Sequence, residues 1–425
     1  MIWDSMSAVI QEVNARESAL SSLRKRWLKL VFLQGLLIWV GFQVMVSWWA
    51  PQFAFRWTGM AALFSVFLLG IMWRSLKLNY RPGERILLPK FGPGNQLTIL
   101  RGFLLAFLFG FLFSPWPQGW LAWIPGLLYT IAALADLFDG YLARRFNQET
   151  LLGENLDLSL DGLGVLIASI LLVQYSQVHA WYLLVGLARY LFLAGIWLRR
   201  RRGKPVYELT ANSTRRPFAG AQMGFVAVIL YPLFSPPGTS LAAALFAVPF
   251  LIGFSTDWLV VSGLSRSRIL LGDSKLAHFV NRIELNLLWG EKMKVISTRW
   301  MPLAIRISLV ILLTVWIEQN LSGLIRLKFF AAANMAATSS PPVLWLGVLL
   351  LFILISLVLI TLGAAGRLAA MFVLFGVGIY LKFFGLNLTE VLLLSGAAAL
   401  FYLGSGPYSL WIPERDIIAR RLGEM

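Results

Sequence analysis

Asp136, Asp139, Asp157 and Asp161 fall within one stretch, DLFDGYLARRFNQETLLGENLDLSLD, in a chain of which only 13% of the residues are charged. Asp136 and Asp139 stand at i, i+3, and Asp157 and Asp161 at i, i+4. Each pair therefore shares a face of its segment if that segment is helical. Carboxylates gathered so densely repel one another and lose hydration, and they need a compensating cation. An all-carboxylate set is what hard divalent ions such as magnesium, manganese or calcium prefer. The chain has no cysteine and only two histidines, His179 and His278, both remote from the acids. That composition excludes a zinc set of Cys and His, a disulfide framework and a cysteine nucleophile. Gly140 and Ala143 beside the acids let a phosphorylated ligand approach the backbone closely, and Arg144 can offer a fork to a phosphate oxygen. The same small residues would also ease helix packing in a membrane.

The elements that must carry these acids are membrane helices. The 425 residues are 58% hydrophobic and 14% aromatic, well beyond an ordinary soluble domain. Apolar runs of about 17 to 25 residues recur along the chain, each able to cross a hydrocarbon core of roughly 30 Å as a helix. A transmembrane barrel would show alternating segments of about ten residues instead. The expected fold class is an all-α polytopic membrane protein with about twelve transmembrane helices. The net charge of +17 lies in short loops between apolar runs, which is how cytoplasmic loops are marked, so no nucleic acid is expected as a partner.

Residues 1–90 are expected to hold an N-terminal cytoplasmic helix over 1–27, ending at Arg24, Lys25 and Arg26, and spans at 28–49 and 57–73. The polar, acidic start does not resemble a cleavable signal peptide. Residues 91–264 hold six spans, at 97–114, 120–138, 157–176, 181–198, 217–235 and 240–264. Alternate links among these spans carry the arginines, which puts the aspartates on the cytoplasmic side. A basic cytoplasmic linker over 265–300, with Arg266, Arg268, Lys275, Arg282, Lys292, Lys294 and Arg299, precedes a four-span unit over 301–425. Both termini are expected in the cytoplasm. Acids inside membrane segments are costly and mark function. Arg189 and Asp257 sit inside two core spans, and a mutual salt bridge or a polar network is expected for them.

The spacing DxxDGxxARx8GxxxDxxxD is met at every position by Asp136, Asp139, Gly140, Ala143, Arg144, Gly153, Asp157 and Asp161. It resembles the signature of the CDP-alcohol phosphatidyltransferase family, whose six-helix membrane core agrees with the six spans of 91–264. Asn95, Thr98 and Arg101, three residues apart at the start of the first core span, resemble that family's NxxTxxR element. The resemblance implies a CDP-linked donor held by two divalent ions, Mg2+ or Mn2+, attack by an acceptor hydroxyl, and release of CMP in the cell (inner) membrane at its cytoplasmic face. It implies Asp136, Asp139, Asp157 and Asp161 as metal ligands, with Asp161 a ligand or the general base. It also implies a nucleotide site made by Asn95, Thr98, Arg101, Asp136, Gly140, Ala143, Arg144 and Gly153.

The acceptor is less legible. RRPFAGAQ keeps Arg216 and Gln222 of a GKxKTxxQ-like element used for phosphorylated acceptors, but Arg215, Phe218 and Ala219 depart from it. Arg189, Arg215, Arg216 and Gln222 are the expected acceptor residues. CDP-diacylglycerol with a polar alcohol is the favoured substrate pair. The alternatives are transfer from a soluble CDP-alcohol to diacylglycerol and, from another class, a cation or lipid transporter. Membrane lipids are expected partners, and a homodimer is allowed. In the C-terminal block, Gly366-Arg367 and Gly404 to Leu410 resemble the DoxX-like membrane family, and no chemistry is assigned there.

Overall fold

The computed structural model describes residues 2–84, 86–145, 149–208, 215–264, 300–333, 343–406 and 408–411. Twelve α-helices occur among them: α1 (Ile2–Trp48), α2 (Pro51–Ser75), α3 (Pro93–Gly110), α4 (Ile124–Arg145), α5 (Leu151–Gln174), α6 (Leu183–Arg201), α7 (Arg215–Ile229), α8 (Gly238–Val261), α9 (Met301–Ala333), α10 (Val343–Leu362), α11 (Gly366–Phe383) and α12 (Leu388–Leu403). The linker expected over 265–300 lies outside the described residues except for Trp300, as do His278 and the segment beyond residue 411.

Eight helical segments among the described residues are long and apolar enough to cross a membrane, and three shorter apolar ones lie at Phe218–Ile229, Gly347–Leu362 and Leu388–Leu403. This is a polytopic, all-helical membrane protein. Helix α3 is not among the eight, because Asn95, Gln96 and Arg101 lower the apolarity of its first half. The N-terminal helix expected over 1–27 does not end before the first span. Helix α1 runs unbroken for 47 residues, about 70 Å at the usual rise, roughly twice the hydrocarbon thickness. Its Arg24 lies over the ring of Trp73 at 5.5 Å, so a cation of the basic cluster packs on the last turn of α2.

The chain divides into two compact units, one of residues 1–191 and 220–232 and the other of residues 192–219 and 233–425. In the first unit α3 packs against α2, α4 and α5. Small residues make the close approach. A Cβ at Gly102 would lie 2.5 Å from Leu68, and one at Gly110 would lie 2.6 Å from Trp57. Trp57 Nε1 donates to the Phe107 carbonyl at 3.1 Å, and Gln34 Nε2 donates to Ser65 Oγ at 2.8 Å between α1 and α2. The hydrophobic effect drives little helix association in lipid, so close packing and such interhelical bonds carry it.

In the second unit α9 to α12 form a four-helix bundle, and α8 packs on α11 and α12. Buried Arg306 donates to the carbonyls of Ile360 and Tyr408 at 3.1 and 2.6 Å, and of Thr361 and Ser405 at 3.4 Å. Gly363 takes φ +65°, and a side chain there would strike the guanidinium. Buried Glu390 accepts from Trp316 Nε1 at 2.9 Å and closes a capping box with Asn387 at the start of α12.

Candidate functional site

Three helices of the first unit supply the site. Helix α3 opens with Pro93 in its first turn, where a missing N–H costs nothing. Helix α5 opens on Thr150, whose Oγ1 accepts from the Gly153 N–H at 3.1 Å, with Glu154 in the first turn. Asp136 and Asp139 stand toward the end of α4, and Asp157 and Asp161 in the second and third turns of α5. The two helical pairs face one another. Asp136, Asp139 and Asp157 each offer one carboxylate oxygen, and these oxygens lie within 4.8 Å of one another. Three converging hard oxygens are a donor set that fits a divalent cation. Asp139 is buried, whereas Asp136, Asp157 and Asp161 are partly open, at 27%, 39% and 41% side-chain exposure, so solute can reach them.

A cleft of about 350 Å3 opens beside the acids, lined by Asn95, Thr98, Asp139, Gly140, Gly153 and Asp157 among others. One face is a polar clamp. Asn95 Nδ2 donates to Asn79 Oδ1 at 3.1 Å and to Thr150 Oγ1 at 2.9 Å, and Asn79 Nδ2 donates to the carbonyls of Leu88 and Lys90 at 2.8 and 3.0 Å. Asn95 therefore ties the loop after α2 to the cap of α5. A Cβ at Gly153 would sit 2.3 Å from Asn95 Oδ1, which is why that position holds glycine. Thr98 Oγ1 lies 3.2 Å from Asp139 Oδ2 and 3.1 Å from the Gly94 carbonyl. Its hydroxyl links α3 to the most buried acid.

Arg101, expected in the nucleotide site, is placed against the acids. It is 2% exposed and does not line the cleft. Its Nη1 lies 2.5 Å from Asp136 Oδ1 and 2.7 Å from Asp157 Oδ1, and its Nη2 bonds Asp161 Oδ1. The guanidinium thus faces the acids and supplies part of the positive charge they need, since the hydrogen-bonded fork offsets the cost of burying both signs. Asp161 does not join the three converging oxygens. It is held by Arg101 and stands 4.0 Å from Arg189. Arg189, expected in a salt bridge or a polar network, lies beside the acid cluster.

Gln222 is buried, donates to the Tyr182 hydroxyl and does not line the cleft. Arg215 and Arg216 begin α7, and Ala143 and Arg144 lie near the end of α4, but their side chains fall outside the described residues. Sequence reasoning missed Asn79 and Thr150. Thr150 directly before the apolar pair Leu151-Leu152 is a readable cap signal. Asn79, a lone amide in a basic loop, carries none.

Residues 93–262 match the family model described as CDP-alcohol phosphatidyltransferase. Among curated proteins, a CDP-diacylglycerol–glycerol-3-phosphate 3-phosphatidyltransferase of Cereibacter sphaeroides is 33% identical over 138 residues, 32% of this chain and 61% of that protein. Proteins of the same description from Salmonella choleraesuis and Escherichia coli K12 are 37% and 35% identical over 93 residues, 22% of this chain and 49% of each. The chain thus spans about half to three fifths of the length of the curated relatives it matches. No solved structure matches it.

Proposed function

We propose, on the premise that residues 93–262 are a CDP-alcohol phosphatidyltransferase domain, that the protein transfers a phosphatidyl group from CDP-diacylglycerol to a polar alcohol and releases CMP. The observation that carries this reading is the convergence of Asp136, Asp139 and Asp157 on one point at the rim of a cleft walled by Asn95, Thr98 and Gly153. Asp136, Asp139 and Asp157 would hold the divalent ions, two Mg2+ or Mn2+, with Asp161 as a further ligand or the base. Bound there, such ions supply charge neutralisation at the phosphates and at the leaving oxygen.

The protein's own residues do the rest by positioning. Thr98 fixes Asp139 through its hydroxyl, and the Asn95–Thr150 clamp keeps the wall rigid. Gly140 and Gly153, without side chains, leave room for the nucleotide and its phosphates. The acceptor oxygen forms a bond to the phosphatidyl phosphorus as the bond to the CMP oxygen breaks, and the hydroxyl proton passes to a base, Asp161 where it is not a ligand. Arg189, beside Asp161, is the nearest described cation able to orient an anionic acceptor. The names of the relatives make glycerol 3-phosphate the first acceptor to try.

The site is taken to face the cytoplasm of the cell membrane, in keeping with the arginines of the adjoining loops. Residues 301–425 are taken as a C-terminal membrane domain, on whose α11 and α12 the core helix α8 packs. The deciding experiment incubates purified protein with Mg2+, CDP-diacylglycerol and a series of alcohols including glycerol 3-phosphate, and measures CMP release. A parallel arm supplies soluble CDP-alcohols with diacylglycerol. CMP from the first arm supports the reading. CMP from the second arm alone reverses donor and acceptor, and none from either ends the transferase reading.

A further inference from the structure

We propose that Arg101 is the positioning residue of the acid cluster, one guanidinium behind the cleft that holds carboxylates of α4 and α5 at the separation a divalent cation requires. This rests on the metal-dependent reading just given. Arg101 Nη1 is shared between Asp136 Oδ1 on α4 and Asp157 Oδ1 on α5, at 2.5 and 2.7 Å, while Nη2 takes Asp161 Oδ1. In each of the three acids the bonded atom is Oδ1. The second oxygen of Asp161 stands 4.0 Å from Arg189.

Asp139, which Arg101 does not bond, is held by Thr98 from one turn earlier on the same helix. Thr98 and Arg101 stand at i, i+3 and share a face. All four acids of α4 and α5 are thus addressed from a single stripe of α3. An arginine serving the nucleotide would need to reach the cleft, and Arg101 is 2% exposed and does not line it. The geometry requires arginine rather than any cation, because a planar fork engages three acids from two nitrogens whereas an ammonium is a point charge on a flexible stem. Partners that orient metal ligands in this way commonly carry a 10- to 100-fold share of metal affinity.

The test uses the full chain in detergent with no nucleotide or lipid substrate. Mn2+ binding is read from the paramagnetic resonance signal of free Mn2+, and folding is read from thermal unfolding in EDTA. Arg101→Lys is expected to melt close to wild type in EDTA yet bind Mn2+ about tenfold or more weakly. Arg101→Gln is expected to bind weakly too and to melt earlier in EDTA, because it leaves the acids uncompensated. Wild-type affinity in a folded Arg101→Lys protein would mean that charge alone matters and would overturn the proposal. Tighter or unchanged binding in Arg101→Gln would also overturn it, and that variant decides the matter if the lysine variant does not fold. Absence of Mn2+ binding by the wild type is a separate result, which removes the metal reading itself and this proposal with it.

Discussion

Asn95 and Thr150, 55 positions apart, bond each other on the wall of the cleft, with Asn95 Nδ2 2.9 Å from Thr150 Oγ1. The bond joins the first turn of α3 to the cap of α5, and the same threonine oxygen accepts from the Gly153 N–H. A motif glycine, an upstream asparagine and a capping threonine therefore form one mechanical unit. The unit accounts for the glycine at position 153.

Gly153→Ala tests it directly. Helix propensity alone would favour alanine by about 1 kcal/mol, but the new methyl would sit 2.3 Å from an Asn95 oxygen whose amide is buried and fully engaged. Overpacking of this kind costs about 1–3 kcal/mol. The variant should melt earlier and release CMP at least about tenfold more slowly; a variant that melts later would show that the close approach is not real.

Thr98→Val removes the hydroxyl that meets Asp139 while keeping the shape of the side chain. Mn2+ affinity should fall by about tenfold, and Thr98→Ser should recover most of it. Equal loss in the serine variant would assign the effect to packing instead.

Chelation with EDTA should stop CMP release, and added Mg2+ or Mn2+ should restore it. Asp139→Asn should remain folded and yet fail to recover on adding metal, because one of the three converging oxygens is then an amide. Full activity in EDTA would refute the metal reading.

Gln222→Leu separates the two roles open to that residue. Its amide donates to the Tyr182 hydroxyl and it does not line the cleft, so KM for the acceptor should stay within about twofold of wild type. The loss should appear in stability, at about 1 kcal/mol, as one buried bond is removed. A tenfold rise in acceptor KM would return Gln222 to the acceptor site.

Arg306→Met addresses the second unit. Four carbonyls, two at the end of α10 and two in the segment after α12, lose their donor, which should cost about 1–3 kcal/mol for a buried acceptor left unsatisfied. Unfolding in detergent should begin at lower temperature while CMP release per folded molecule is unchanged.

The helices were legible because apolar runs of spanning length need no tertiary context, and helical spacing sufficed to pair Asp136 with Asp139 and Asp157 with Asp161. The boundary expected near residue 27 was not legible, since the polar start of α1 and the apolar span behind it share one uninterrupted helical periodicity. The partner of Arg189 was not legible for a related reason. A cation inside a span must find an acid, but the sequence lists every acid as equally near, and only the packing of α5 against α6 selects Asp161.

The sequence by itself determined the fold class, the membrane setting and the chemical type of the site, because composition, charge in the loops and the spacing of four acids are local properties of the chain. Only the tertiary structure decided which acids converge and what holds them. Asp136, Asp139 and Asp157 offer the three close oxygens while Asp161 stands aside between two arginines. Arg101, which the family resemblance implies as a nucleotide residue, faces the acids in the tertiary structure. The physical reason is that periodicity fixes the face on which a side chain lies, whereas the partner across that face depends on how α3, α4 and α5 are brought together.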